Sequence, residues 1–107
     1  MRFTWDPKKN AANIAKHHID FSQADAILDG PAIIRSDRRK DYGEERFTAL
    51  GAIEGIVFAV VYTDRSPGER RIISLRRANR KERRVFEKEF DVWNGLGATA
   101  SDDRCGN

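Results

Sequence analysis

The sequence predicts a small α+β domain: a compact antiparallel sheet with two helices before its main strands and one after, in the order β-α-α-β-β-β-β-α. Three observations lead there. Between Ala32 and Arg77 the apolar residues fall into short β-branched runs, several with period two, the spacing of strands. The turns between the later runs are too short for parallel crossovers and so imply antiparallel neighbours. Helix-start signals stand outside this block, at Asp6-Pro7, Ser22 and Asn79.

Arg2 to Trp5 alternates and carries two aromatics, which suits a short first strand. Asp6 is then an N-cap carboxylate, and Pro7 occupies the first helical position, where its missing N–H costs nothing. That helix runs through Ala11, Ala12, Ile14 and Ala15 to about His18. A second helix starts at Ser22, with Asp25 three residues on as in a capping box, buries Ala24, Ile27 and Leu28, and stops at Gly30-Pro31.

Ala32 to Arg35 is the next strand, followed by the charged loop SDRRKDYGEE. Arg46 to Ile53 and Ile56 to Thr63 pair as a hairpin through Glu54-Gly55. The turn at Pro67-Gly68 leads into a strand from Arg70 to Arg77. Strict alternation places Ile72, Ser74 and Arg76 on one face of that strand and Arg71, Ile73, Leu75 and Arg77 on the other. Asn79 with Glu82 opens the last helix, with Val85, Phe86, Phe90 and Trp93 on one face. Residues 1–93 form one domain, and residues 94–107 have no periodicity and read as a flexible tail.

Charge is the main functional signal. Arg65 to Arg84 holds nine Lys or Arg against two Glu, a local net charge of +7 in a chain whose total is +3. Clustered guanidinium groups on regular structure suit phosphate, because each offers a planar fork of donors matching its oxygens. Nucleic acid is the leading partner and an acidic protein segment the rival. No segment has the ~20 apolar residues of a membrane span, the N-terminus lacks a secretory h-region, and the single Cys105 has no internal partner. A cytoplasmic protein with no membrane partner is expected.

Familiar catalytic signatures are missing: no Gly-rich phosphate loop, no GxSxG, no Cys pair. His17 and His18 are adjacent and on a helix point about 100° apart, so they cannot share a metal. No metal and no cofactor are expected. A metal-independent reaction is easier to build, since RNA brings its own nucleophile, the 2′-hydroxyl. Arg71, Arg76 and Arg77 are candidate phosphate ligands, or else solvated side chains with local salt bridges. His17, one of only two histidines, belongs to the side-chain type suited to proton transfer near neutral pH and is a candidate acid or base. Glu45 is a second candidate base and Arg46 a further clamp; an ordinary charged strand entry is the alternative. Trp5 and Tyr62 either stack on bases or pack in the core.

Several segments together resemble one family. FTWDPKK near the start, N-x-x-K-H-x-I-x-F from Asn13 to Phe21 (with His18 where relatives usually have Gly), EERF at Glu44 to Phe47, VVYT at Val60 to Thr63 and RIISLRRANRKER from Arg71 to Arg83 are similar to the BrnT toxins of type II toxin–antitoxin systems. The resemblance runs from about Phe3 to Phe90. It implies a RelE-like fold and a metal-independent endoribonuclease that cleaves RNA and inhibits translation. It also implies a BrnA-like ribbon-helix-helix antitoxin as partner, with operator DNA met only through the toxin–antitoxin complex. The positions it carries over are Lys16 and His17, Glu45 and Arg46, and Ser74 with Arg76 and Arg77. The expected catalytic set is His17, Glu45, Arg46 and Arg76, and the RNA-binding set is Lys16, Arg71, Ser74, Arg77 and Lys81. The alternative is a non-catalytic basic module that binds an acidic protein or nucleic acid.

Overall fold

A computed structural model describes residues 1–37 and 43–90. Its elements are β1 (Arg2–Trp5), α1 (Pro7–His17), a 3-10 turn (Phe21–Gln23), α2 (Ala24–Asp29), β2 (Ala32–Asp37), β3 (Arg46–Ile53), β4 (Ile56–Ser66), β5 (Glu69–Arg77) and α3 (Arg80–Glu89). The expected order of strands and helices is the observed one. Trp93 and the expected tail lie outside the described residues.

The five strands form one sheet in the order β1-β5-β4-β3-β2. β2, β3, β4 and β5 are antiparallel neighbours, as their short connections require, whereas β1 joins the far edge parallel to β5, with Trp5 opposite Ile72. The sheet is therefore mixed rather than wholly antiparallel. Parallel pairing becomes possible because α1 and α2 and the strands after them supply a long crossover between β1 and β5.

Two cores lie on opposite faces. Ile19, Phe21, Ala24 and Ile27, from the 3-10 and α2 region, bury Ala49, Phe58, Val60, Tyr62, Ile72 and Leu75. On the other face Phe86 of α3 packs with Leu50, Val57, Ala59 and Ala78. α2 approaches β3 so closely that a Cβ on Gly51 would sit 2.6 Å from the Ile27 carbonyl oxygen, which accounts for glycine in mid-strand.

Strict alternation fails in β5. The register runs Val61 with Ser74 and then Tyr62 with Ile72, so Ile73 is an extra residue, a β-bulge. Ile72 and Leu75, three apart, consequently share the first core. Ser74 and Arg76, opposite Val61 and Ala59, share the other face, and Arg71, opposite Thr63, joins them. Arg77, opposite Phe58, is on the α2 face. The predicted face groups are corrected accordingly: Ile72 leaves the company of Ser74 and Arg76, and Arg71 leaves that of Leu75 and Arg77.

The helix starts follow local chemistry. The Asp6 carboxylate accepts from the Lys8 N–H at 2.9 Å, with Pro7 at the first position. Asn79 and Glu82 form the expected capping box. The second start differs from expectation: Asp20, not Ser22, is the cap, accepting from the Ser22 N–H at 2.9 Å and the Asn10 amide at 3.1 Å. The backbone N–H, then the amide, hold its carboxyl below the usual carboxylate range. α2 begins only at Ala24.

One buried polar side chain joins the layers. Asn13 Nδ2 donates to the carbonyls of Leu75 (2.7 Å) and Ile19 (3.0 Å), and its Oδ1 accepts from the Leu75 N–H (3.2 Å). Asn13→Ala would leave these backbone groups buried without partners, and we expect about 2–4 kcal/mol of lost stability in chemical denaturation. His18 closes α1 in the left-handed region at φ 61°. His18→Gly is expected to stabilise by about 0.5–1 kcal/mol in the same measurement, because glycine adopts this conformation without a Cβ clash.

Candidate nucleic-acid interface

α3 covers only part of its face of the sheet. The remainder is an open groove of about 580 Å³. Its floor comes mainly from alternate strand residues, Ile33, Arg35 and Asp37 of β2, Thr48 and Leu50 of β3, Val61 of β4, and Ser74 and Arg76 of β5, with Ser36 joining at the end of β2. The start of α3 forms the wall, with Asn79, Lys81, Glu82 and Val85. An apolar base is thus rimmed by three cations, two carboxylates and several hydroxyl or amide groups.

Of the residues singled out from sequence, Ser74, Arg76 and Lys81 converge here. Alternation keeps Ser74 and Arg76 on one face, and the bulge lets that face be this one while Ile72 enters the core on the other side. The Arg76 guanidinium binds Glu82 as a fork, Nη1 to Oε1 at 2.7 Å and Nη2 to Oε2 at 2.9 Å, and Nη1 also donates to the Arg77 carbonyl at 3.2 Å. Both side chains are only partly exposed, so the pair orients the guanidinium more firmly than a surface ion pair would.

The other sequence candidates lie elsewhere. Arg46 pairs in register with Asp37, and its Nε donates to Glu44 at 3.1 Å. Glu45 lines a separate depression of about 310 Å³ with Glu44, Phe47, Thr63, Asp64 and Arg65. Arg71 shares the groove face without lining the groove, and Arg77 is exposed on the α2 face. Lys16 and His17 sit in the last turn of α1, beside β5, and do not line the groove.

Three groove residues escaped the sequence reading. From the sequence Arg35 ends a strand and Asp37 falls in a loop, whereas β2 continues to Asp37 and both line the groove. Glu82 was read only as a cap. Strand alternation carried the signal for the first two.

Tyr62 and Trp5 both pack against other aromatic rings of the fold. Tyr62 is 2% exposed, stacks on Phe47 at 5.5 Å and carries Arg70 over its ring at 4.1 Å. Burial pushes its phenol above the ordinary range. Arg70 also binds Asp64 as a fork at 2.8 and 3.2 Å, which raises its own already high value. Trp5 meets Phe21 edge-on at 6.4 Å. Among the described residues no group of three or more His, Cys, Asp or Glu is arranged to hold a metal ion, and no helix is long and apolar enough to cross a membrane.

Comparison with known proteins adds an independent finding. The profile of one family, described as ribonuclease toxin, BrnT, of type II toxin-antitoxin system, matches residues 5–82. Among solved structures, the crystal structure of the Brucella abortus ribonuclease toxin BrnT is similar at 29% identity and a TM-score of 0.61, covering 75% of this chain and 99% of that one. No curated protein sequence gives a significant match.

Groove cations should be readable in salt dependence. Arg35→Ala and Lys81→Ala are each expected to weaken binding of a single-stranded 2′-deoxy oligonucleotide. Each should lower the slope of log affinity against log salt by about 0.7, the value for one single-strand phosphate contact. Titration at several salt concentrations checks this.

Proposed function

The chain belongs to the BrnT family of ribonuclease toxins of type II toxin–antitoxin systems, and on that footing we propose that it is a metal-independent endoribonuclease acting in the groove between α3 and the sheet. The observation that carries this reading is the convergence of Ser74, Arg76, Lys81 and Arg35 around one open, partly apolar surface. Such a surface accepts one phosphate among cations while leaving room for the flanking sugar and base.

In the proposed reaction the 2′-oxygen of RNA attacks the adjacent phosphorus and the 5′-oxygen of the next nucleotide leaves. The products are a 2′,3′-cyclic phosphate and a 5′-hydroxyl. Lys81 and Arg35 draw the phosphate in, Ser74 donates to it, and Arg76 stabilises the charge that grows on its oxygens in the pentacoordinate transition state. The 2′-proton passes to Asp37, the carboxylate that β2 contributes to the groove, and the leaving oxygen is protonated from solvent. His17 and Glu45, the bases expected from sequence, stand outside the groove and take no proton in this scheme. Arg46, Arg71, Arg77 and Lys16 contribute longer-range attraction for the polyanion.

Type II membership implies a protein antitoxin. We assign it to the BrnA-like ribbon-helix-helix class, with operator DNA reached only through the complex. We place it over the same groove, where Arg35 and Lys81 offer partners to acidic side chains, and RNA cleavage is the route by which the free toxin inhibits translation.

Incubation of the antitoxin-free protein with a defined RNA in excess EDTA tests the mechanism. Fragments with cyclic-phosphate ends are expected, and Arg76→Ala should cut the rate by about 10²–10³, the scale for loss of one preorganised charge-stabilising group. Cleavage that requires a divalent metal would sink the mechanism. RNA left intact would favour a non-catalytic binding module.

A further inference from the structure

This inference rests on the reading of the groove as a ribonuclease site. We propose that Glu82 is a positioning residue for that reaction: it holds the Arg76 guanidinium fixed and partly neutralised, so that Arg76 favours the transition state over bound RNA.

Glu82 is itself held from two sides. Its Oε1 accepts from the Asn79 N–H at 2.8 Å as well as from Arg76 at 2.7 Å, and its own N–H donates to Asn79 Oδ1 at 2.8 Å. Helix capping therefore sets the carboxylate position first, and the carboxylate then sets the guanidinium. A free arginine retains rotamer entropy of about 2 kcal/mol; one gripped through Nη1 and Nη2 does not have to find its place as the reaction proceeds.

The charge argument points the same way. An uncompensated guanidinium attracts the phosphate of bound RNA and of product strongly, which lowers KM without raising kcat. A guanidinium already facing a carboxylate gains less from that single charge. It gains more as further charge develops on the phosphoryl oxygens, so its stabilisation is weighted toward the transition state.

Two simpler roles fit the geometry less well. As a general base Glu82 would need a free acceptor, yet both oxygens already receive strong donors, Oε1 two of them. As a cap alone its charge would be dispensable, because glutamine serves equally at this position of a capping box.

Glu82→Gln separates these possibilities, since it preserves the cap and removes the charge. The variant should melt within a few degrees of wild type. Its affinity for a single-stranded 2′-deoxy oligonucleotide should rise about three- to tenfold, with a steeper salt slope, as expected when a groove cation is unmasked. Its kcat on RNA should fall at least about tenfold while KM falls with it, the signature of lost transition-state preference. Ile27→Val, which trims the core on the α2 face away from the groove, should keep its turnover per folded molecule and so controls for stability.

Cleavage by Glu82→Gln at the wild-type rate, or a loss of oligonucleotide affinity, would overturn the proposal. If wild type itself leaves RNA intact, the ribonuclease reading fails. The oligonucleotide titration still decides the charge relation in that case, and unchanged affinity in Glu82→Gln would overturn that relation as well.

Discussion

The amide of Asn13 is the contact on which the geometry of this protein depends. β1 stops pairing at Trp5, opposite Ile72, and three residues later the N–H and C=O of Leu75 meet the Asn13 side chain instead of a strand. A primary amide is the one uncharged side-chain group that donates and accepts in the pattern of a peptide. It continues the ladder where β1 has already turned into a helix, and by also reaching the Ile19 carbonyl it ties α1, the turn after it and β5 into one unit. In an interior of low dielectric these bonds fix position more than they add net energy, since the alternative is unpaired backbone.

The clamp falls just beyond the bulge at Ile73, and the two features act together. The bulge rotates the strand so that Ile72 and Leu75 enter the α2-side core while Ser74 and Arg76 emerge on the opposite face. Leu75 cannot slip back, because its own backbone is held by Asn13. A one-residue slip of β5 would send Arg76 toward the core and Leu75 toward solvent, an exchange that burial of charge forbids. The cationic character of the groove is thus guaranteed by the apolar packing beneath it.

α3 completes the site from the other side. Its inner residues Val85 and Phe86 pack on the second core, and its first turn brings Lys81 and Glu82 to the groove edge. Helix capping, ion pairing and groove chemistry share one carboxylate. Most of the remaining basic segment is divided between structure and surface: Arg70 braces Tyr62 and Asp64, and Arg83 donates to the Ala78 carbonyl at 3.2 Å. High local charge in the sequence therefore does not translate residue by residue into groove-lining side chains.

Much was legible from residues alone. The strands, the hairpin at Glu54-Gly55, the caps at Asp6 and Asn79 and the basic character of the last strand and helix are local properties, written in spacing and turn chemistry, and the segment resemblance pointed to the family that the comparison then showed. Tertiary structure alone decided the parallel seat of β1, the bulge at Ile73 and the grouping of Arg35 and Asp37 with Arg76 and Lys81. The physical reason is range. Periodicity and capping are settled within a few residues, whereas a bulge is settled by which face must be buried against distant partners. A groove arises only when four strands and a helix, far apart along the chain, leave one stretch of sheet uncovered.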